Sequence, residues 1–313
     1  MINPAVEQSQ LPQAGVGPLA DFETSREIGY YRLIWRRFRE HRLAGVAAYT
    51  LLALILVCLL GPLLLPSSWD NPDLLNRFAA PGWPHIMGTD DLGRDLFRRV
   101  LDGGRISLAV GFLAMTVTIA MGAVIGATAG YVGGVIDNVA MRLTDAILSI
   151  PQIFLLILVI ISFGQRGHTP LVVVLAIGIT SWPTTARVIR SVVLSIKERE
   201  FVEAARATGS GRVKILARHV LPNALGPIMV SATLTIGFAI LLESALSFLG
   251  HGLGPPIASW GSMLFNANAF IYDAPSAPYA ALFPGLMILI AVLCVNFIGD
   301  GLRDAFDPRS FER

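Results

Sequence analysis

Residues 203–222 read EAARATGSGRVKILARHVLP, a polar stretch between two long apolar runs. Its first half has alanine at positions 204, 205 and 207, and alanine has the highest helix propensity while adding almost no bulk. The Gly209–Gly211 segment predicts the end of this short helix, because glycine adopts the left-handed conformation at a helix C-terminus at little steric cost. The stretch therefore predicts a small-faced helix that stops at a glycine elbow.

The second half of the stretch predicts another short helix. Apolar side chains at spacing i, i+3 and i+7 form one face, which comprises Val213, Leu216 and Val220. Lys214 and Arg218 stand four residues apart on another face, and Pro222 suits the first turn of a new helix. Two interpretations of the elbow stay open: its alanine face lets the backbone of a partner protein approach closely, or its basic amphipathic helix rests on lipid headgroups.

The overall composition indicates a polytopic membrane protein. The 313 residues are 54% hydrophobic and only 15% charged, with a mean hydropathy of +0.63, whereas soluble domains are about 45–50% apolar and about 25% charged. The net charge of +2 says little about partners, and nucleic acid is not expected among them. Cys58 and Cys294 each lie in an apolar run, so we expect buried thiols rather than a disulfide framework or a metal site.

Six apolar runs predict an all-α fold with six transmembrane helices, since about 20 apolar residues cross a bilayer core. The predicted spans are Ala44–Leu65, Ile106–Gly130, Ala146–Phe163, Leu171 to about Leu194, Leu221–Leu249 and Ala280–Ile298. Pro151 is expected to kink the third span or to mark its start, and the short fourth run is extended through a kink at Pro183. Gly122, Gly126 and Gly130 share one face of the second span and predict close helix packing.

The distribution of positive charge predicts the orientation. Six of the 24 Lys and Arg residues fall on the side opposite the termini, which leaves 18 on the side of the termini. Because positive residues concentrate in cytoplasmic loops, we expect both termini and the 203–222 stretch in the cytoplasm. Four arginines run against this bias before the second span, namely Arg94, Arg98, Arg99 and Arg105. The first 29 residues have no apolar core, so we expect a tail and no cleaved signal peptide.

Glu243 is an acidic residue inside a predicted span. Intramembrane acids are costly and by default mark functional sites, so we expect a place on the solute pathway or at the outer gate. The alternative is that Glu243 lies near the outer end of its helix and reaches the headgroups or a local hydrogen-bond donor. His168, in the short outer loop 165–168, is expected to be a surface residue rather than a ligand.

The chain carries no recognisable motif for catalysis. The phosphate-binding pattern Gly-x-x-x-x-Gly-Lys-[Ser/Thr] does not occur, and neither does a nucleophile triad, a zinc motif or a nucleotide fingerprint. The outer segment Gly88–Asp95 holds several aspartates, but its interleaved arginines favour a salt-bridged surface over hard-cation ligands. We therefore expect neither an enzyme nor a metal-binding protein, and an ATP-driven role requires other subunits.

Several stretches resemble bacterial ABC importer permeases of the dipeptide, oligopeptide and nickel family. Glu-Ala-Ala, three residues, Gly, nine residues and His-Val-Leu-Pro is similar to their cytoplasmic coupling loop, with His219 where the family usually has Ile, as in its peptide-transporting branch. Further similar stretches are Gly88–Asp95, Glu243–Gly250 and the C-terminal Gly299–Arg309. His251 departs from the apolar residue expected there. The resemblance extends from about residue 30 to the end of the chain.

The resemblance implies an inward transporter of di- or oligopeptides that works by alternating access. ATP and Mg²⁺ would be bound by two separate ATPase subunits, and no cofactor by this chain. The chain looks like the second of two paralogous permeases, which work with an extracytoplasmic solute-binding protein in the lipid of the bacterial inner membrane. The implied ATPase-coupling residues are Glu203, Ala204, Ala205, Gly209, Arg212, His219 and Pro222.

The resulting division of the chain has four parts. They are a cytoplasmic tail and basic lead-in (1–43), the first transmembrane helix with the outer polar segment (44–105), a five-helix core with the coupling loop at about 195–221 (106–302), and a cytoplasmic C-terminal tail (303–313).

Nickel or another small solute is an alternative cargo. A secondary transporter with Glu243 as proton or sodium site is an alternative class that inverted repeats would support, and none is visible in the sequence. A membrane anchor without transport is a third interpretation.

Overall fold

The computed structural model describes residues 30–65, 71–163, 168–254, 256–270, 272 and 277–306. The expected N-terminal tail, most of the 165–168 loop and the end of the C-terminal tail lie outside these described residues. Within the described ranges the chain is almost wholly helical, and its one β-bridge is the isolated pair Thr89 and Asp95. The predicted all-α fold is confirmed.

The described residues form a succession of long and short helices. They are α1 (Tyr30–Glu40), α2 (Arg42–Leu64), α3 (Leu96–Val132), α4 (Gly134–Leu148), α5 (Gln152–Ser162), α6 (Pro170–Ile196), α7 (Glu200–Ala207), α8 (Arg212–Ile215), α9 (Leu221–Phe248), α10 (Trp260–Ala269) and α11 (Ala277–Phe306). A π-helical turn at Leu216–Val220 joins α8 to α9.

Five helical runs are long and apolar enough to cross a membrane, and a bent pair brings the number to six among the described residues. The pair is α4 and α5, which meet at an angle of 89°. The third span, predicted as one run from Ala146, is therefore wrong in its boundary, although α5 does begin directly after Pro151. At 1.5 Å per residue the 11 residues of α5 cover only about 16 Å, roughly half of a bilayer core.

The bundle has two distinct ends. At one end Phe38 of α1 packs against Ala305 of α11, and a cavity there is lined by Phe201, Pro222 and Phe306. At the opposite end Trp260 of α10 donates a hydrogen bond to a carbonyl near the start of α3. We call the first end, which carries α1 and α7, the inner end, and the second the outer end.

The outer arginines that run against the charge bias are all paired with aspartate. Helix α3 is longer than the predicted span because it begins at Leu96 and places these arginines on or just before its first turns. The pairs are Arg94 and Arg99 with Asp90, at 2.7 and 3.2 Å, and Arg98 and Arg105 with Asp102, at 3.6 and 4.0 Å. Local acids therefore balance the positive charge that the sequence left unexplained.

Helices α3 and α6 pack closely through the predicted glycine face. A Cβ atom on Gly126 would lie 2.3 Å from the carbonyl oxygen of Ala186, and one on Gly130 would lie 2.9 Å from that of Arg190. Only residues without a side chain allow two helix backbones to approach this far. Helix α6 is continuous through Pro183, as predicted, so α3 and α6 form a long rigid pair running from the outer to the inner end.

Candidate functional site

The glycine elbow exists and has the geometry of a Schellman motif. Helix α7 ends at Ala207, the N–H of Gly209 donates to the carbonyl of Arg206 at 2.9 Å, and the N–H of Ser210 donates to that of Ala205 at 3.2 Å. Gly209 has φ +79°, a conformation that side-chain-bearing residues rarely adopt. The predicted helix, elbow and second helix are thus confirmed.

The predicted apolar face of the second helix is wrong in one position. Val213 is 80% exposed, whereas Ile215 and Val220 are buried. The reason is the π turn, in which the N–H of Leu221 bonds to the carbonyl of Leu216 five residues back. Because a π turn holds one more residue than an α-helical turn, residues five apart, such as Ile215 and Val220, lie on the same face.

Pro222 explains why the π turn occurs where it does. Proline has no N–H to donate to the carbonyl four residues back, so the regular ladder cannot continue unchanged. The side chain of Asn223 donates to the carbonyl of His219 at 2.6 Å and so adds a hydrogen bond to this turn. Pro222 lies in the first turn of α9, as predicted, and α8, the π turn and α9 together form one helical run from Arg212 to Phe248.

Most of the proposed coupling residues form one exposed surface at the inner end. Glu203, Ala204, Gly209 and Arg212 are exposed on α7, the elbow and α8, and Pro222 is exposed beside them. His219 is half-buried in the π turn. Ala205 differs from the rest because it is 9% exposed and packs into the core below the elbow. The alanine face available to a partner is therefore narrower than the sequence indicates.

The buried side of the elbow is fixed to the long pair of helices. Val202 and Ile215 share a core cluster with Val193 of α6 and Tyr131 of α3. Lys197 donates its Nζ proton to the carbonyl of Gly130 at 3.0 Å. The guanidinium of Arg206 lies 5.9 Å from the centre of the Tyr131 ring, within cation–π range. A displacement of the elbow must therefore be transmitted to the inner ends of α3 and α6.

Glu243 is fully buried at the outer end rather than open to a pathway in this structure. Its carboxylate accepts hydrogen bonds from the hydroxyls of Ser107 on α3, at 3.0 Å, and Ser247 on α9, at 2.8 Å. A buried carboxylate is tolerable only when hydrogen bonds or opposite charge compensate it, and these donors are local. Glu243 therefore makes the local contacts foreseen in the alternative interpretation.

The two serines extend the contacts of Glu243 to both ends of the outer loop. Ser107 accepts a hydrogen bond from the N–H of Trp260 at the start of α10, at 3.2 Å, and Ser247 accepts one from Leu253, at 3.0 Å. We call this hydrogen-bonded group (Ser107, Glu243, Ser247, Leu253 and Trp260) the outer clasp. It holds α10 and the loop before it against α3 and α9.

Close backbone approach makes the outer clasp possible. A Cβ atom on Gly252 would lie 2.5 Å from the Cα of Ser247, and one on Gly261 would lie 2.6 Å from the Cα of Ser244. The Glu243–Gly250 stretch is recognisable in the sequence, but no local pattern connects Glu243 to Ser107, 136 residues away. The available signal was the Ser-Trp-Gly sequence at 259–261, since a glycine in the first turn of a helix, two residues after a capping serine, allows close backbone approach.

The outer Gly88–Asp95 segment is a hydrogen-bonded cap on α3. Asp95 accepts from the N–H of Arg98 at 2.8 Å and so caps the helix, and its second oxygen contacts His85 at 2.9 Å. Asp90 accepts from the backbone N–H groups of Leu92 and Arg94, both at 2.9 Å, in addition to its arginine pairs. The predicted salt bridges between aspartate and arginine are confirmed, but they do not form a surface, because no residue of this segment is exposed and Asp90 and Asp95 are buried.

Comparison with known proteins shows the family of transport proteins to which this chain belongs. The model of the family "binding-protein-dependent transport system inner membrane component" matches residues 122–312, and the model of the N-terminal transmembrane domain of oligopeptide transport permease C matches residues 29–81. The chain belongs to the binding-protein-dependent transport family, and it is a multi-pass permease subunit of the ABC importer type.

Relatives and solved structures agree with this assignment. The chain is 40% identical to the dipeptide transport system permease protein DppC of Alkalihalophilus pseudofirmus, with 95% of each chain covered. It is 39% identical to the oligopeptide transport system permease protein OppC of Haemophilus influenzae, with 89% of each covered. A MetNI methionine ABC transporter in inward-facing conformations has the same fold, with a TM-score of 0.53, 20% identity, and coverage of 67% of this chain and 96% of that one.

Proposed function

We propose that this chain imports di- or oligopeptides as one of two paralogous permeases in an ATP-driven complex. The names of its relatives support the cargo. The observation that carries the coupling role is the elbow itself: an exposed, small-faced surface whose buried side is fixed to α3 and α6. Such a surface is suited to a groove on another protein, because a surface that only rests on lipid needs no rigid connection to the transmembrane core.

The mechanism follows from this connection. ATP binding closes the dimer of ATPase subunits, and the grooves that hold the two elbows move with them. Because the elbow shares a core with α3 and α6, its movement tilts these helices and favours the outward-open state. The free energy comes from the difference in affinity of ATP and of the loaded solute-binding protein for the two states. Mg²⁺ and ATP stay on the partner subunits, and this chain performs no chemistry.

The proposal also gives the orientation of the chain, its location and the place of the solute-binding protein. The inner end faces the cytoplasm, with both termini, and the complex lies in the bacterial inner membrane with a solute-binding protein at the outer end. The first transmembrane helix and outer segment (44–105) are an addition to the five-helix core (106–302). A nickel complex or other small solute is the alternative cargo, and it leaves the coupling mechanism unchanged.

Ion-coupled secondary transport is the competing class, and the contacts of Glu243 weigh against it. An ion site must exchange with water during transport, whereas both carboxylate oxygens of Glu243 are occupied by serine hydroxyls that position α10 and its loop. We therefore propose that Glu243 acts by holding the outer clasp rather than by carrying an ion.

Uptake by the purified complex tests the proposed function. Proteoliposomes with both permeases, the ATPase subunits and the solute-binding protein are expected to accumulate radiolabelled dialanine only when ATP is enclosed. Replacing the phosphate-binding lysine of the ATPase subunits should abolish uptake, because this chain has no motif to replace it. Uptake that continues without ATP hydrolysis, or that follows an imposed ion gradient, contradicts the proposal.

Two neighbouring alanines provide a crosslinking test of the elbow. Ala204→Cys is expected to crosslink to the ATPase subunit, because Ala204 is exposed beside the elbow. Ala205→Cys is the matched control and should not react, since Ala205 packs against the core below. Crosslinks are read by gel mobility and mass spectrometry. Equal reaction at both positions, or reaction only with reagents outside the cell, counts against this placement.

A further inference from the structure

Two large cavities open on the described part of the chain, and they differ in chemistry. The inner one, about 490 Å³, lies below the elbow and has a mostly apolar lining that includes Phe201, Leu225 and Phe306. The outer one, about 500 Å³, lies beside the outer clasp. Its wall includes an acid, two arginines and an amide, which are Asp91, Arg94, Arg99 and Asn266. Both volumes lie in the range of small-molecule sites, and of these two cavities only the outer one combines that volume with an acidic side chain.

The outer cavity lies where two separate stretches of sequence meet. One wall comes from the Gly88–Asp95 segment, and the other comes from Gly250, Gly254 and the first turns of α10. The outer clasp fixes the second wall, because its hydrogen bonds end at Leu253 and Trp260 on either side of the loop. The cavity is therefore a product of rigid elements, as a binding site requires.

Asp91 is the incompletely paired charge in this wall. Its Oδ1 atom is buried and has no hydrogen-bond partner among the described residues. Its contact with Arg94 is long, 3.8 Å, because the same guanidinium nitrogen lies 2.7 Å from Asp90. Burial raises the pKa of Asp91, and the neighbouring Asp90 carboxylate raises it further. The ionised carboxylate is thus disfavoured as it stands, and an incoming cation would stabilise it.

We propose that the outer cavity is a binding subsite for a small solute with a positively charged amino group, which Asp91 pairs with as the solute enters the complex. This proposal rests on the proposed function, because peptide import identifies the recognised amino group as the amino terminus of a peptide. The adjacent Asn266 on α10 offers an amide to the peptide backbone. Perturbed carboxylates in clefts are typical of functional sites, and the ion pair of this one with Arg94 is long, at 3.8 Å.

The effect of the Asp91 carboxylate on the stability of the folded state provides a first test of the proposal. A carboxyl group whose pKa is raised by folding destabilises the folded state at any pH above that raised value, so Asp91 costs stability at neutral pH. Asp91→Asn should therefore leave the melting temperature of the complex unchanged or slightly raised. If the Asp91 carboxylate stabilised the fold, the same substitution would lower the melting temperature.

Binding to the assembled transporter without its solute-binding protein measures the subsite directly. Saturation-transfer NMR with dialanine and N-acetyl-dialanine is expected to show that the wild-type complex binds the free-amine peptide about tenfold more tightly, the difference expected for a hydrogen-bonded charge pair. Asp91→Asn should remove this preference. Asp102→Asn, an outer acid that does not line the cavity, should retain it.

Each outcome has a defined meaning. Loss of the preference in Asp91→Asn alone supports the subsite. Equal binding of both peptides by the wild type, an unchanged preference in Asp91→Asn, or an equal loss in Asp102→Asn overturns it. Asn266→Trp, which fills the cavity from α10, should weaken both peptides, and unchanged binding there also overturns the proposal. Uptake that depends on ATP but occurs without any such binding rejects the subsite and leaves the proposed function standing.

Discussion

Gly209→Arg is expected to lower peptide uptake about 100-fold, the effect of losing roughly 2.7 kcal/mol at an interface hot spot, while the protein reaches the membrane in normal amount. Among the described residues, nothing beyond its chain neighbours lies within 4 Å of a Cβ atom at Gly209, so the new side chain starts in open space. It would instead occupy the space that the ATPase groove requires. Radiolabelled uptake and quantitative blotting of membrane fractions measure the two effects separately.

Gly134→Arg is the matched control for this experiment. Gly134 also has a positive φ, +60°, and open space around its Cβ position, so both substitutions carry a similar backbone strain of about 1 kcal/mol. Only Gly209 lies in the elbow. Equal losses at the two positions would attribute the effect to backbone strain. Normal co-purification of the ATPase with Gly209→Arg would contradict a docking role for the elbow.

Glu243→Ala is expected to destabilise the permease and to abolish most uptake together. Ser107 and Ser247 would lose the acceptor of their hydroxyl protons inside the protein, and each buried polar group left without a partner costs about 1–3 kcal/mol. Helix α10 would keep the direct bonds of Trp260 to α3, but the Ser107 hydroxyl that accepts one of them would lose the carboxylate that orients it. We expect a lower melting temperature in a fluorescence-based thermal assay and reduced uptake in proteoliposomes.

Glu243→Gln separates the two roles considered for this residue. Glutamine keeps the size and an acceptor oxygen, so a positioning role predicts nearly normal stability and partial uptake. A role as an ion or pathway carboxylate predicts that Gln is as inactive as Ala. If Glu243→Ala melts like the wild type yet fails to transport, the outer clasp is not the reason for this acid, and the pathway interpretation is the better one.

The elbow was predictable because its determinants are local. Alanine propensity and the left-handed preference of glycine act within a few residues, so α7, Gly209 and α8 followed from the sequence. The apolar face of the second helix did not follow. Regular helical spacing selected Val213, whereas the π turn before Pro222 made Ile215 the buried residue instead.

The outer signatures were recognisable as stretches but not as a site. Glu243 and Ser107 are 136 residues apart in sequence, and no local pattern specifies such a pair. Pairing of the outer arginines with Asp90 and Asp102 also depends on the length of α3, which begins ten residues before the predicted span. The hydropathy of these first turns is low, and they are supported by the Asp95 cap and by the packing of Leu96 and Val100 in one cluster with residues of α10 and α11.

What the sequence determined by itself is the class of the molecule: apolar runs of membrane-crossing length, a glycine face for helix packing and a two-helix elbow, because hydrophobicity and backbone preference are properties of short segments. Tertiary structure alone decided which side chains share space. It buried Ala205, enclosed Glu243 among serines and left Asp91 facing a cavity with an incomplete set of partners. Burial and charge compensation depend on residues that are distant along the chain, and only the folded arrangement of α3, α9 and α10 brings those residues together.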